Sequence, residues 1–211
     1  QAKTLFPYTT LFRSGDISLT GSGASTDQGI KFNGGVNLGW SGSSGNTMGA
    51  ITLNADAMTL GAGLSLKTSG MLTVQSVGTS FRSALDWPLS NLNIGTTLGG
   101  LTLGKTTNTT NITISSAQTV NGPVNIYGGT LAINAPITTS SGTVTLKGSG
   151  NVVDGAGGYL VADKLLLLGG AVNLDHASTS INTLAGSGGK QQADGAPGRG
   201  VAFIASDVDD G

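Results

Sequence analysis

Short tracts in which two aliphatic residues stand two apart recur along the chain: Ile51 with Leu53, Leu72 with Val74, Leu92 with Ile94, Ile112 with Ile114, Leu131 with Ile133, and Val172 with Leu174. Period two places both members of a pair on one face of a strand. From leader to leader, with Val152 between Leu131 and Val172, the steps are 21, 20, 20, 19, 21 and 20 residues, and Ile30 extends the series backward by 21. A fixed step near 20 residues is the mark of a solenoid. Further tracts lie inside one step, such as "MTLGAG" and "LSLKTSG" between Ile51 and Leu72, so each step holds three short strands. A strand that returns after one step runs parallel to its predecessor, and such crossovers are right-handed. The pattern therefore predicts an all-β, right-handed parallel β-helix with about 20 residues per coil over residues 15–211. Roughly nine or ten coils would make a rod about 45 Å long.

Composition supports this reading. Gly fills 36 of the 211 positions and the charged fraction is 10%, while 37% of residues are hydrophobic. Disordered chains combine low hydrophobicity with high charge, and collagen needs a Gly-X-Y period that is missing. Gly, Asn, Ser, Thr and Asp between the tracts supply the corners. A formal net charge of -1 with scattered Lys and Arg gives no footprint for nucleic acid. No apolar run approaches the roughly 20 residues of a transmembrane helix. The chain has no Cys, which excludes disulfides and thiolate metal sites, and all 11 acidic residues are Asp.

Several motifs invite chemistry. "GGLTLGKT", Gly99 to Thr106, satisfies the spacing of a phosphate loop, but that chemistry needs a loop opening into a helix. Here the middle is a period-two strand and "TNTTNITIS" follows, so a strand and a turn are expected. His176 is the only His, beside Asp175 and near Ser178; it can form neither a multi-His metal site nor, without a G-x-S-x-G elbow, a recognisable triad. A solvated turn is expected there. Asp207, Asp209 and Asp210 lack the bidentate Glu of a calcium loop, and Asp154 in "NVVDGAGG" reads as an acidic turn. A water-ordering surface would need Thr-x-Thr in register on a flat face, and the Thr-rich stretch does not repeat coil after coil. These readings imply no catalytic residue, no cofactor and no metal.

Three regions break the rhythm. Val77 to Asn91 carries Phe81, Arg82, Asp86 and Trp87, a local mixture of aromatic and charged groups read as a side loop able to contact a ligand. Residues 186–200 read as a flexible excursion. "TLFPYTTLFRS", Thr4 to Ser14, fits none of the surrounding pattern and matches the in-frame translation of a common short-read sequencing adapter. Residues 1–14 are therefore expected to be an artefact and disordered; Pro7 to Thr10 interrupt any signal-peptide core.

The stretch "GLTLGKTTNTTNITISSAQTVNGPVNIYGGTLAINAPITTSSGTVTLKGSG", with "GYLVADKLLLLGGAVNLDHASTSINTLAGSG" after it, resembles the central repeats of filamentous haemagglutinin-like exoproteins of Gram-negative bacteria. The likeness covers residues 15–211, most clearly Leu98 to Gly188, and rests on paired aliphatics and "YGG" or "LGG" turns. It implies a β-helical shaft secreted through an outer-membrane partner, displayed at the cell surface, and used in contact with a host or neighbouring cell. The family's secretion-domain signature is not found, so the resemblance implies an internal piece of a longer shaft. The alternative expectation is a carbohydrate-active β-helix, a lyase or hydrolase, which would cluster carboxylates with Arg or Lys on adjacent coils.

Overall fold

The computed structural model describes residues 10–11, 15–22, 29–32, 35–39, 49–60, 64–94 and 98–188. These form a right-handed parallel β-helix in which every strand pairing is parallel. After β1 (Thr10–Leu11), the first coil holds β2 (Ile17–Gly21), β3 (Ile30–Phe32) and β4 (Val36–Gly39), and the second β5 (Ile51–Ala55), β6 (Met58–Leu60) and β7 (Leu64–Lys67). The third comprises β8 (Met71–Gln75), β9 (Leu85–Trp87) and β10 (Leu92–Ile94), and the fourth β11 (Gly100–Leu103), β12 (Ile112–Ile114) and β13 (Gln118–Val120). The fifth contains β14 (Val124–Gly128), β15 (Leu131–Ile133) and β16 (Ile137–Thr139). In the sixth, β17 (Thr143–Gly148) and β18 (Val152–Asp154) lead into β19 (Leu160–Gly169), a long strand that closes one coil and opens the next. The seventh continues through β20 (Val172–Asn173) into β21 (Ser180–Gly188).

Each coil thus contributes one strand to each of three faces. The first face stacks β2, β5, β8, β11, β14, β17, β19 and β21; the second carries β9, β12, β15, β18 and β20, with β3 paired to β6 in the earlier coils. On the third, β1, β4, β7 and β10 stack at one end and β13, β16, β19 and β21 at the other. Because β19 and β21 run straight from the third face into the first, those two faces join into one hydrogen-bonded sheet.

Period-two alternation becomes inner ladders. Leu101, Val124, Val144 and Leu165 stand in register on the first face, as do Leu103, Ile126, Leu146 and Leu167, all buried. Their outward neighbours form polar columns, the longest being Ser18, Thr52, Thr73, Thr102, Asn125 and Thr145.

The expected period holds from the fourth coil onward, where hydrogen-bonded partners on successive coils lie 19 to 23 residues apart. Nearer the N-terminus the coils lengthen: Asn54 reaches Thr20 across 34 residues, and Phe81 meets Asn108 across 27. The register expected from the pair leaders is corrected there. Ile30 pairs with Met58 rather than leading to Ile51, Leu92 with Leu64, and Ile112 with Leu85. Apolar pairs on the three faces look alike in sequence, so equal steps between leaders can jump from face to face. The longer coils also reduce the count. The first face is eight strands deep, about 34 Å at about 4.8 Å per rung.

Of the leader, Thr10 and Leu11 pair with Asn37 and Leu38, whereas the rest of residues 1–14 lies outside the described residues. The stretch read as an excursion starts inside β21, with Gly186 opposite Leu167, and from residue 189 onward it also lies outside them.

Ile126 sits mid-stack between Leu103 and Leu146, fully buried. Ile126→Ala is expected to cost about 2–5 kcal/mol in urea unfolding, whereas the outward Thr145→Ala should stay within about 0.5 kcal/mol. Equal costs would mean that the inner ladder is not the principal source of stability.

Candidate functional site

Of the four residues proposed from sequence as a ligand-contact loop, the structure buries two, Phe81 and Trp87, and leaves Arg82 and Asp86 exposed. Leu85, Asp86 and Trp87 are β9 itself, in register with Ile112, Thr113 and Ile114. Trp87 therefore occupies an inner-ladder position and is 0% exposed, its Nε1 donating to Gln118 Oε1 at 3.2 Å. Phe81 is 6% exposed and belongs to the same core. Only Arg82 and Asp86 of the four stand outward. An aromatic beside a charge looks like a binding loop in sequence, but period two sends Trp87 inward and Asp86 outward.

What protrudes is a pair of stacked corner loops, residues 76–84 between β8 and β9 and residues 104–111 between β11 and β12. Asn108, 3% exposed, holds them together. Its Oδ1 accepts from Ser80 Oγ at 2.6 Å and from the Phe81 N–H at 3.1 Å, while its Nδ2 donates to Tyr127 O at 2.8 Å. Thr110 Oγ1 donates to Phe81 O at 2.6 Å, and Thr107 Oγ1 to Thr79 O at 2.8 Å. Lys105, the lysine of the phosphate-loop pattern, donates through Nζ to Val77 O at 2.9 Å and Gly78 O at 3.1 Å. Gly104 turns the chain at φ 77° after β11, and no helix follows. This is the strand and turn expected from sequence, with the lysine spent on two carbonyls of the loop below. Insertions in solenoids gather on loops and often carry binding, and here Val77, 37% exposed, stands at the edge of the pair.

The second chemically diverse place lies at the end of the second face. Asp154 is in register with Ile133, which follows Ile114 and Trp87, so a carboxylate takes over an inner column. Asp154 Oδ2 accepts the His176 N–H at 2.9 Å, and His176 Nδ1 accepts the Ser178 N–H at 3.1 Å. The His176 ring stacks on Tyr159 with centroids 5.4 Å apart. His176 thus opens the turn expected there, its carbonyl accepting the Thr179 N–H at 2.9 Å, but its ring is half-buried against an aromatic ring rather than fully solvated. Burial pushes the Asp154 carboxyl above its ordinary value, and the charge of Asp175 adds to the push against the main-chain N–H of His176.

Sequence reading missed both Asn108 and the Thr column. Asn108 lies in a polar run without any period, and the column becomes visible only once the unequal coil lengths are known. The column is one rank wide, its companion at the next outward position being Thr20, Asn54 and Gln75, linked side chain to side chain at 3.1 and 2.8 Å. Asp207, Asp209 and Asp210 lie outside the described residues. Among the described residues no three His, Cys, Asp or Glu side chains gather to hold a metal ion, and no helix is long and apolar enough to cross a membrane.

The fold and these sites define the class no more narrowly than a parallel β-helical solenoid with corner loops. No family model, curated protein or solved structure matches the chain.

Asn108→Ala would orphan the Phe81 N–H and the Tyr127 carbonyl, at about 1–3 kcal/mol for each group left unpaired. Urea unfolding is expected to show a loss of about 3 kcal/mol, with faster hydrogen exchange at Phe81; unchanged exchange there would refute the anchoring role. For Asp154, a folded-state pKa above the unfolded one means that the neutral form favours folding and that stability falls as pH rises through the folded value. Asp154→Asn should therefore gain stability relative to the parent chain as pH rises from about 3 to about 6. A gain on acidification instead would reverse the assignment.

Proposed function

We propose that the chain is a stretch of shaft from a secreted bacterial surface adhesin of the filamentous haemagglutinin-like kind. The supporting observation is the uninterrupted first face, in which eight parallel strands pair rung on rung. Such a stack resists bending because each strand is hydrogen-bonded along its length to both neighbours, and its stability accrues at each interface between repeats. Its work in this reading is to project a more distant binding region from the cell; none of its own residues is catalytic and it takes no cofactor or metal. An outer-membrane secretion partner and the surface of a host or neighbouring cell are the partners that go with it, and nucleic acid is not among them.

A second reading, a carbohydrate-active β-helix, is favoured by one observation: Asp154, Asp175, His176 and Tyr159 meet where two coils adjoin. Two measurements separate the readings. Pulled by its ends in a force spectrometer, a shaft segment should release its length coil by coil at high force, and incubated with bacterial and plant polysaccharides it should generate no new reducing or unsaturated ends. Polysaccharide cleavage abolished by Asp154→Asn would overturn the shaft proposal in favour of the enzyme.

A further inference from the structure

Two grooves lie along the third face. The first, about 480 Å³, has Ser140, Ser141, Val161, Asp163, Ser180 and Asn182 in its lining. It exists because the fifth coil turns from β16 to β17 through Ser140–Gly142, with Gly142 at φ 98°, while the next coils pass the same corner as the straight strands β19 and β21. The second groove, about 290 Å³, is bordered by Pro88, Ile94, Leu98, Gln118 and Thr119. The outward column Thr119, Thr138, Val161 and Ser180 runs in register from one groove to the other. Its four rungs span about 14 Å.

The polar groups here both donate and accept, except for the Asp163 carboxylate, which only accepts. Ser140 Oγ donates to Asn121 O at 3.1 Å and Ser141 Oγ to the same oxygen, leaving both hydroxyls their lone pairs. Asn182 Nδ2 donates to Asp163 Oδ1 at 3.2 Å. Among the described residues, Asp163 Oδ2, Asn182 Oδ1 and the Ser180 hydroxyl make no hydrogen bond. A track of hydroxyl and amide groups beside one carboxylate suits a ligand whose own hydroxyls both donate and accept. Among the described residues no Lys or Arg lines either groove to neutralise an anionic ligand. One carboxylate falls short of the six to eight oxygens that calcium takes. Pro88 and Ile94, both partly exposed, offer an apolar patch to the C–H face of a sugar ring. The rung spacing of about 4.8 Å is close to the advance of one pyranose along an extended glycan.

From this convergence we propose that the third face binds a neutral, extended oligosaccharide of about three sugar units, lying along the helix axis from the Pro88 groove to the Asp163 groove. Asp163 and Asn182 receive hydroxyls at one end, Thr138 holds the middle, and the Pro88 groove, with Thr119 at its border, takes a ring face at the other. A shaft needs no such site, so the inference goes beyond the proposed function, and it holds or fails independently of that reading.

The test is amide NMR of the isotope-labelled chain titrated with cellotriose and, separately, with trigalacturonate. Cellotriose is expected to shift amides around Thr119, Thr138, Ser140–Gly142 and Ser180–Asn182. Asp163→Ala, at one end of the track, and Thr138→Arg, which blocks its middle, should each weaken binding by about tenfold or more. Both positions face outward, so an unchanged amide spectrum elsewhere verifies the fold of each variant. The proposal is overturned if cellotriose causes no shifts, if shifts map to another face, if both variants bind as the parent does, or if trigalacturonate binds as tightly.

Discussion

Main-chain hydrogen bonding between successive coils is the constraint on which everything else rests. Within one coil the three strands lie on different faces and cannot pair with each other, so their N–H and C=O groups find partners only in the coils above and below. Buried main-chain groups without partners are costly, and a lone coil therefore has no stable form. The side-chain order follows from this pairing. Once strands stack in parallel register, like positions on successive coils superimpose, and apolar side chains two apart fall into the ladders that fill the interior.

The same constraint decides where the chain can vary. An insertion inside a strand would shift its register by one and turn every side chain over, whereas an insertion at a corner leaves all three faces intact. The long coils obey this rule, with extra residues at 76–84 and 104–111. A corner loop still brings polar main chain to the flank of the core, and here each loop supplies the partners of the other through Asn108, Thr110, Thr107 and Lys105. That is why two long loops occur on neighbouring coils, and why a lysine with the spacing of a nucleotide site is committed to two carbonyls.

The legible part of the structure is the part governed by this repetition. Fold class, parallel pairing and three strands per coil could be read from period-two pairs and their return, and from Ile112 onward the leaders Leu131, Val152 and Val172 do stack on one face. Upstream the same reading chained Leu72 to Leu92 to Ile112, three residues that belong to three different faces. Nothing local distinguishes an apolar pair on one face from a pair on another; only the lengths of the corners do, and corners carry no periodic signal. The burial of Trp87 was hidden from the sequence for a related reason. Aromatic residues are rare in this chain, so Trp87 drew attention, but its size is used to fill the inner column where Ile114 stands one coil later.

Departures from the ladder are consequently the informative positions. Asp154 interrupts a column occupied by Trp87, Ile114 and Ile133, and Leu174 restores apolar packing just beyond it. A carboxylate there meets the desolvation that an isoleucine would not, which is the origin of its raised pKa, and it is retained by the main-chain N–H of His176 at the turn of the following coil. The third-face grooves are departures of another kind, since they arise where a corner is lost rather than where one is enlarged. In a fold that makes each coil a near copy of the last, distinct chemistry can be introduced at few places: an enlarged corner, a straightened corner, or a polar residue in an apolar column. The described residues use all three, on different parts of the stack, and the repeating scaffold between them fixes their separation along the rod.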